Sequence, residues 1–424
     1  MGADSPVPAE RATRAVDGSP RNLGREHRLI NRPRALALLR DARLDGLIAS
    51  APENVTYLTG LLVPSPYLRR EVQVFAVLTP DPEADPILVM PASFLAFLVD
   101  EPTGTGTVRV YGDPHTVLPG SDAILEEREA RLLALVRSTP RFASAQEALL
   151  SVCADARLAR GRLALDETGL SARAWAAIHE RLTDAQIVEG AALLRRIRAV
   201  KTPAEVARLR RSAEIIEAAQ DAMFCSVKEG VTERILAEII ERRVWTEGGR
   251  PAFSYLGLGV RGGALRPACD SPARGGDLVR TEMGCTHLQY WSDTGRTAVV
   301  GAPSDRQRRC FDALAAGHRA ALDALRSGTP VGDVFDAAVR AVRRSGIPEY
   351  RRTHCGHGIG LQLYDAPLVA PSDETILEPG MVVNVEVPYY ELGFGGMQIE
   401  DTAVVTDGAP FLLTRAAREL RVLS

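Results

Sequence analysis

Five acidic or imidazole side chains in the last third of the chain constrain its fold more than any other feature. Each lies in a segment rich in apolar residues or glycine: Glu282, Asp293, His357, Glu386 and Glu400. Acidic residues are rarely buried unless they pair with another charge or bind a metal. Four carboxylates and one imidazole suit two divalent cations that share a bridging hydroxide. The chain must therefore fold so that distant segments converge on one point.

The sequence around these residues predicts β-structure. Glu282 and Asp293 flank a polar stretch with glycine that is typical of a hairpin between two strands, and such a hairpin aims both carboxylates at one place. His357 has glycine on both sides, which we expect to let the backbone approach a ligand or a metal closely. Glu386 and Glu400 each lie in an apolar run that predicts a strand.

This combination resembles the pita-bread metallopeptidase family, which includes methionine aminopeptidase, aminopeptidase P, prolidase and the metal-free relative creatinase. In that family the metal ligands follow the order Asp, Asp, His, Glu, Glu, and the matching frames here hold Glu282, Asp293, His357, Glu386 and Glu400. Residues 32–61, with Pro52-Glu-Asn-Val-Thr-Tyr-Leu-Thr-Gly60, resemble the creatinase-type N-terminal domain. Residues 197–206 resemble the entry to the catalytic domain.

The resemblance implies an α/β creatinase-like N-terminal domain and an α+β pita-bread catalytic domain with pseudo-two-fold symmetric halves. We predict a flexible tail over residues 1–25, the N-terminal domain over 26–190 and the catalytic domain over 191–424. Short β runs that alternate with helical segments agree with an α/β first domain that has a mixed sheet. The predicted helices cover residues 31–42, 130–137, 171–182, 202–230, 232–246, 307–326 and 333–344. The fourth helix has the clearest start, since Thr202-Pro-Ala-Glu205 combines an N-cap, a proline and a capping box.

The same resemblance implies a metal-dependent hydrolase that cleaves an amide bond next to proline, as aminopeptidase P and prolidase do. The five ligand positions would hold two divalent ions. The oxygen-rich set favours manganese, with cobalt, zinc and iron as alternatives. The glutamate that corresponds to Glu386 moves a proton from the attacking water to the leaving amine in the family, so we expect that role at Glu386.

Several positions depart from the family pattern. A His-Glu pair that follows the ligand histidine is replaced by Tyr364 and Asp365, and an arginine two residues before the last glutamate is replaced by Gln398. The Tyr364 hydroxyl can still donate to an oxyanion, and Asp365 is a candidate base. His354 either lines the pocket or bonds structurally. Glu282 stands where aspartate is usual, which leaves the occupancy of both metal positions open.

Two other classes of function remain open at this stage. The first is a pita-bread enzyme repurposed for a small non-peptide substrate, by creatinase-like C–N hydrolysis or by elimination. The second is a catalytically silent binding module. Retention of all five ligand positions argues against the second class.

Composition narrows the possible partners. A net charge of −3 gives no basic surface for nucleic acid, and residues 1–25 contain no apolar stretch for a signal or a membrane span. Six cysteines without short paired spacings predict reduced thiols and a cytoplasmic protein. The expected partners are a peptide or small-molecule substrate and, by family analogy, a second copy of the chain in a homodimer.

Overall fold

The computed structural model describes residues 28–63, 72–100, 103–120 and 123–423. These residues form two compact units. The first contains the described residues of Leu44–Val188, and the second contains those of Glu26–Arg43 and Glu189–Ser424. The predicted tail over residues 1–25 lies outside the described residues.

Unit 1 is built on a seven-stranded mixed sheet with the order β5-β4-β3-β2-β1-β6-β7 in the described part of the chain. Its strands are β1 Gly46–Ala49, β2 Phe75–Leu78, β3 Ile87–Pro91, β4 Thr107–Tyr111, β5 Arg141–Phe142, β6 Arg162–Leu165 and β7 Gln186–Glu189. β2 pairs antiparallel with β1 and β3, whereas β1–β6, β3–β4 and β4–β5 are parallel. The central strands are apolar and fully buried, as expected for a sheet covered by helices.

The helices agree with the predicted α/β class. After α1, Arg32–Asp41, which belongs to unit 2, unit 1 contains α2 Pro52–Thr59, α3 Phe97–Asp100, α4 Glu127–Ser138, α5 Ala145–Asp155 and α6 Ala172–His179. The helix predicted over 130–137 begins earlier, at Glu127, because Glu126 and Glu129 form a capping box at its N-terminus. The helix predicted over 171–182 ends earlier, at His179.

The first helix, α1, lies within the predicted N-terminal domain, 26–190, and its residues group with unit 2 in the structure. The reason is a set of contacts to much later residues. Arg34 donates two hydrogen bonds to the carboxylate of Glu378, at 2.6 and 2.8 Å, and the Asn31 amide donates to the carbonyl oxygen of Val200 at 3.2 Å.

Unit 2 contains two helix pairs, after a short helix that leads into them. These helices are α7 Ala191–Ala199, α8 Pro203–Cys225, α9 Glu233–Thr246, α10 Asp305–Ala324 and α11 Val331–Arg344. The predicted capping box of α8 is confirmed, since Glu205 N–H donates to Thr202 Oγ1 at 3.3 Å and Thr202 N–H donates to Glu205 Oε2 at 2.8 Å. In α11 the buried positions recur at three- and four-residue spacing, as in a helix with one apolar face.

Each helix pair covers one sheet, and this arrangement produces the two predicted pita-bread halves. The first sheet comprises β8 Arg250–Leu258, β9 Leu278–His287, β10 Tyr290–Trp291, β11 Thr294–Val300 and β19 Arg421–Leu423. The second comprises β12 Gly356–Gly358, β13 Asp365–Leu368, β14 Val382–Glu386, β17 Glu400–Val404 and β18 Phe411–Leu412. A separate ribbon contains β15 Tyr389–Glu391 and β16 Gly395–Met397. Buried side chains of α8 and α9 pack on the first sheet, and those of α10 and α11 pack on the second.

The predicted hairpin between Glu282 and Asp293 is confirmed, although its turn differs from the expectation. β9 pairs antiparallel with both β10 and β11, and Tyr290 lies opposite His287. The two turn residues are therefore 288 and 289, with φ values of 48° and 67°. These left-handed conformations occur at leucine and glutamine instead of glycine, so the flanking strands must hold a turn that the local sequence does not favour.

Candidate metal centre and active site

Three of the five predicted ligands converge in the core of unit 2. Oxygen or nitrogen atoms of Asp293, His357 and Glu400 all lie within 4.8 Å of one another, and all three residues are buried. Asp293 immediately precedes β11, His357 is the middle residue of β12, and Glu400 opens β17. The antiparallel ladder between β14 and β17 places Glu386 directly opposite Glu400. Strands from both halves therefore meet at this group.

The glycines beside His357 allow close packing against neighbouring strands. A Cβ at Gly356 would lie 2.0 Å from the carbonyl oxygen of Asn384, and a Cβ at Gly358 would lie 2.1 Å from that of Ala366. The glycines thus let β12 fit between β13 and β14, and the close approach is to neighbouring backbone. They fix the imidazole because the strand that bears it has no room to shift.

The imidazole of His357 is oriented for a ligand at Nε2. Its Nδ1 lies 3.0 Å from the carbonyl oxygen of Gly358, so Nδ1 carries the proton and donates it there. Nε2 lies 3.4 Å from Asp293 Oδ2. Burial would lower the pKa of His357, but the hydrogen bond and the charge of Asp293 outweigh burial and raise it.

Asp293 and Glu400, the two buried acids of the group, lie among other carboxylates. Burial and the neighbouring carboxylates Asp293, Glu386 and Glu282 raise the pKa of Glu400 well above its ordinary value. The pKa of Asp293 is raised as well, mainly by burial. Asp293 Oδ1 is buried and accepts no hydrogen bond from any described residue. An unsatisfied buried oxygen and crowded carboxylates fit a divalent cation.

Glu386 lies beside the group and contacts a histidine and an arginine. His354 Nε2 lies 2.9 Å from Glu386 Oε1, and the Arg352 guanidinium lies 3.8 Å from Oε2. Burial alone would raise the pKa of Glu386, but the His354 hydrogen bond and the Arg352 charge lower it. Glu386 is therefore ionised and held in place by His354, one of the residues that the sequence singled out as catalytic.

Glu282 is not one of the three residues of the group, but it lies close enough for its charge to raise the pKa of Glu400. Its Oε2 atom accepts a hydrogen bond from Arg280 Nη1 at 3.0 Å and another from the Tyr390 hydroxyl at 3.1 Å. Burial raises the pKa of Glu282, and the charge of Arg280 partly offsets that rise. Glu282, the first of the five predicted ligands in sequence order, thus already has hydrogen-bond partners within the protein.

Tyr364 and Asp365 are adjacent in sequence but lie in different environments. The Tyr364 ring stacks on the His357 ring, with centroids 3.9 Å apart, and its hydroxyl lies 3.4 Å from His354 Nε2. Tyr364 is 46% exposed, so a substrate can reach its hydroxyl. Asp365 is buried, 3.0 Å from an Arg198 nitrogen and 3.8 Å from Lys201 Nζ.

The electrostatics of Asp365 argue against the predicted role as a base. Burial would raise its pKa, but the charges of Arg198 and Lys201 outweigh burial and lower it. A carboxylate that two buried cations hold in its ionised form is a poor proton acceptor. We therefore propose a structural role for Asp365 in place of the catalytic one.

Sequence reasoning missed three residues that contact the predicted ligands. Arg280 bonds Glu282, Arg352 lies beside Glu386, and the Asn384 amide donates to Glu400 at 2.5 Å. A signal existed for Arg280, since side chains two positions apart on a strand share a face. Arg280 and Glu282 have this spacing on β9.

None of the helices in the described part of the chain is both long and apolar enough to cross a bilayer.

Comparison with known proteins agrees with this architecture. Residues 207–407 match the model of metallopeptidase family M24, and residues 32–200 match the model of the creatinase/prolidase N-terminal domain. The chain is similar to the Xaa-Pro dipeptidase of Pyrococcus furiosus, with 31% identity over 231 residues. This match covers 54% of the chain and 66% of that relative, slightly less than two thirds of its length.

Solved structures give the same result. The dipeptidase PepE from Mycobacterium ulcerans superimposes with a TM-score of 0.74 and 25% identity, over 92% of this chain and 96% of that one. The Xaa-Pro dipeptidase from Bacillus anthracis superimposes with a TM-score of 0.75 over 93% of this chain and 100% of that one. Its 21% identity makes it evidence for the fold alone. The expected fold and family are thus confirmed: the chain belongs to metallopeptidase family M24, the pita-bread family, and has the creatinase/prolidase type of N-terminal domain.

Proposed function

We propose that this protein is a metal-dependent Xaa-Pro peptidase, which hydrolyses the amide bond next to proline. The observation that carries the proposal is the convergence of Asp293, His357 and Glu400 within 4.8 Å, with Glu386 opposite Glu400 on the neighbouring strand. Family membership and the likeness to an Xaa-Pro dipeptidase support this choice of reaction and substrate class.

Asp293, His357 and Glu400 would hold a divalent metal. Their oxygen-rich donor set favours manganese, with cobalt, zinc and iron as alternatives. A metal bound there supplies Lewis acidity to the substrate carbonyl and lowers the pKa of water. The predicted second ion would need Glu282 as a ligand.

The protein's own residues have separate tasks in the proposed reaction. Glu386 takes a proton from the attacking water and delivers it to the leaving amine, while His354 holds its carboxylate at 2.9 Å. The exposed Tyr364 hydroxyl donates a hydrogen bond to the oxyanion that develops on the substrate carbonyl. Stacking on His357 keeps the Tyr364 ring in place.

A panel of substrates tests the proposal. The protein, loaded with manganese, is assayed on Xaa-Pro dipeptides, on longer peptides that begin Xaa-Pro, and on matched Xaa-Ala peptides. We expect hydrolysis of the proline substrates only. A Glu386→Gln variant should bind metal but lose about 100-fold or more in kcat, because the proton carrier is gone. Turnover by this variant close to that of the unmodified protein would contradict the role of Glu386.

A second candidate is C–N hydrolysis or elimination on a small non-peptide substrate. It is favoured by the amide of Gln398, whose oxygen lies 3.4 Å from Arg280 Nη1 and whose nitrogen donates to Glu400 at 2.9 Å. Both ends of the amide are engaged, so Gln398 offers no clamp for the free carboxylate of a dipeptide. Bound metal without hydrolysis of any peptide in the panel would favour this candidate.

We also propose that the protein acts as a cytoplasmic homodimer. The six cysteines are all free thiols, which agrees with a reducing compartment. The dimer rests on family analogy. Analytical ultracentrifugation tests it, and a monomer at the concentrations used for activity assays would contradict it.

A further inference from the structure

Arg280 brings a buried positive charge to the edge of the candidate metal centre. Its side chain is 1% exposed. Nη1 donates to Glu282 Oε2 at 3.0 Å and to Gln398 Oε1 at 3.4 Å. Because Gln398 in turn donates to Glu400 at 2.9 Å, the guanidinium is connected to two of the predicted ligands.

Tyr390 supplies a second hydrogen bond to Glu282. Its hydroxyl donates to the same Oε2 atom at 3.1 Å, and its ring lies 5.1 Å from the guanidinium carbon of Arg280. A carboxylate oxygen has two lone pairs, so Oε2 has no free site for a metal. Glu282 can offer only Oε1, and in doing so it would bring a metal ion towards a guanidinium.

Nearby glycines make room for this arrangement. A Cβ at Gly396 would lie 2.8 Å from Arg280 Cδ, and a Cβ at Gly295 would lie 2.5 Å from Gln398 Cγ. Gly295 is the register partner of Glu282 on the hairpin. The absence of a Cβ at these two strand positions therefore leaves room for both side chains, and at Gly396 also for the Gly262 carbonyl oxygen, which a Cβ would meet at 2.0 Å.

Fixed positive charge already lies beside two of the four carboxylates of the centre. These carboxylates are Glu282, Asp293, Glu386 and Glu400. Arg280 lies beside Glu282 and Arg352 beside Glu386. A second divalent ion at Glu282 would lie close to the buried Arg280 guanidinium, and bringing two like charges together in a buried site is costly.

We propose that the Arg280 guanidinium takes the place of a second metal ion at Glu282, so that the centre binds one divalent ion tightly through Asp293, His357 and Glu400. This inference rests on the proposed metal-dependent function and specifies its metal content. Arg280 acts through Glu282 and Gln398 and is therefore a positioning residue.

Metal binding tests the inference directly. Protein stripped with a chelator is titrated with manganese, and binding is followed by calorimetry and by electron paramagnetic resonance. We expect one tightly bound manganese ion per chain, with the six-line spectrum of an isolated ion. Two ions of similar affinity per chain, with an exchange-coupled spectrum, would overturn the inference.

Substitutions of Arg280, Glu282 and Asp293 test which residue limits the number of bound manganese ions. Arg280→Met keeps the length of the stem and removes the charge, so a second manganese ion should bind, whereas the matched control Arg280→Lys keeps the charge and should bind one. Glu282→Gln should leave the affinity for the first ion unchanged, and Asp293→Asn should weaken it by more than ~10-fold. Failure of Arg280→Met to gain an ion, or equal weakening by Glu282→Gln and Asp293→Asn, would overturn the role of Arg280. If Arg280→Met does not fold, the Glu282→Gln comparison still decides the question.

The peptide assay separates this inference from the proposed function. One tight ion without cleavage of Xaa-Pro peptides would leave the metal content standing and reject the peptidase. Two bound ions with cleavage of Xaa-Pro peptides would support the peptidase and reject the inference of a single ion. Absence of any bound ion would reject the inference and the metal-dependent peptidase together.

Discussion

The hydroxyl of the half-exposed Tyr364 lies 3.4 Å from His354 Nε2, and its removal should affect rate without affecting metal binding. Tyr364→Phe keeps the stack on His357, whose centroid lies 3.9 Å away, and deletes only the oxygen atom. We expect kcat to fall by up to about 100-fold, as for other oxyanion donors, with unchanged manganese affinity. Steady-state kinetics and calorimetry measure the two quantities. An unchanged kcat would remove Tyr364 from the mechanism.

Asp365 should matter for stability instead. Asp365→Asn would remove a carboxylate from beside Arg198 and Lys201, both with side chains 1% exposed or less. Loss of one partner from a buried ion pair costs about 3 kcal/mol or more in the free energy of unfolding. Urea unfolding measures this loss, and Asp155→Asn, which removes an exposed partner of Arg109, is the matched control. A variant of normal stability with a greatly reduced kcat would restore the catalytic role.

Single residues also show how far sequence reasoning extends at this scale. Asp293, His357 and Glu400 could be predicted because turn and strand signals around them limit where their side chains point. The partners of Asp365 could not, since Arg198 lies 167 positions away and only the folded chain brings the two together. The contact between Arg280 and Gln398 spans 118 positions and is hidden for the same reason.

At the scale of elements, the N-terminus of α8 contains a group that titrates near neutrality. Burial raises the pKa of Glu205 to about 7, although the charge of Lys201 and hydrogen bonds from Thr202 and Tyr290 oppose that rise. The ordinary pKa of a glutamate is 4.5, so the folded protein binds this proton more tightly than the unfolded chain does. The free energy of unfolding should therefore fall as pH rises between these two values.

Glu205→Gln tests this pH dependence while keeping an acceptor for Thr202 N–H. Because the variant has no proton to release, its unfolding free energy should fall less with pH. The difference in slope should be on the order of 1 kcal/mol per pH unit between about pH 5 and 7. Urea unfolding at several pH values measures both slopes. Parallel slopes for the two proteins would contradict the assignment.

Elements with local signals were the easiest to predict. The capping box of α8 and the hairpin of β9 and β11 depend on neighbours in sequence, and both are found in the structure. The role of the glycines around His357 was harder to predict, because Gly356 and Gly358 pack against the backbones of β14 and β13. The residues near His357 in sequence do not show which strands will lie beside it.

At the scale of the molecule, metal should stabilise one unit and leave the other unchanged. All the proposed ligands belong to unit 2. A free metal concentration about 100 times the Kd should add about 2.7 kcal/mol to the stability of the state that binds it. Hydrogen exchange followed by mass spectrometry should show slower exchange in unit 2 only. Asp293→Asn should abolish the effect, and equal protection of both units would contradict it.

The resemblance to the pita-bread family implied two domains, and the alternation of strands and helices predicted the α/β class of the first, but the contacts of α1 with late residues could not be predicted. Its sequence is an ordinary capped helix with nothing that indicates a later partner. Contacts of Arg34 and Asn31 with Glu378 and Val200 connect it to unit 2.

The distant partner of α1 has a consequence for biosynthesis. Arg34 emerges from the ribosome 344 residues before Glu378. At ordinary translation speeds this interval is roughly 20 to 70 seconds. During that time Glu378 has not yet been synthesised, so Arg34 cannot form its ion pair. Unit 2 can be completed only when this early helix binds a segment made near the end of translation.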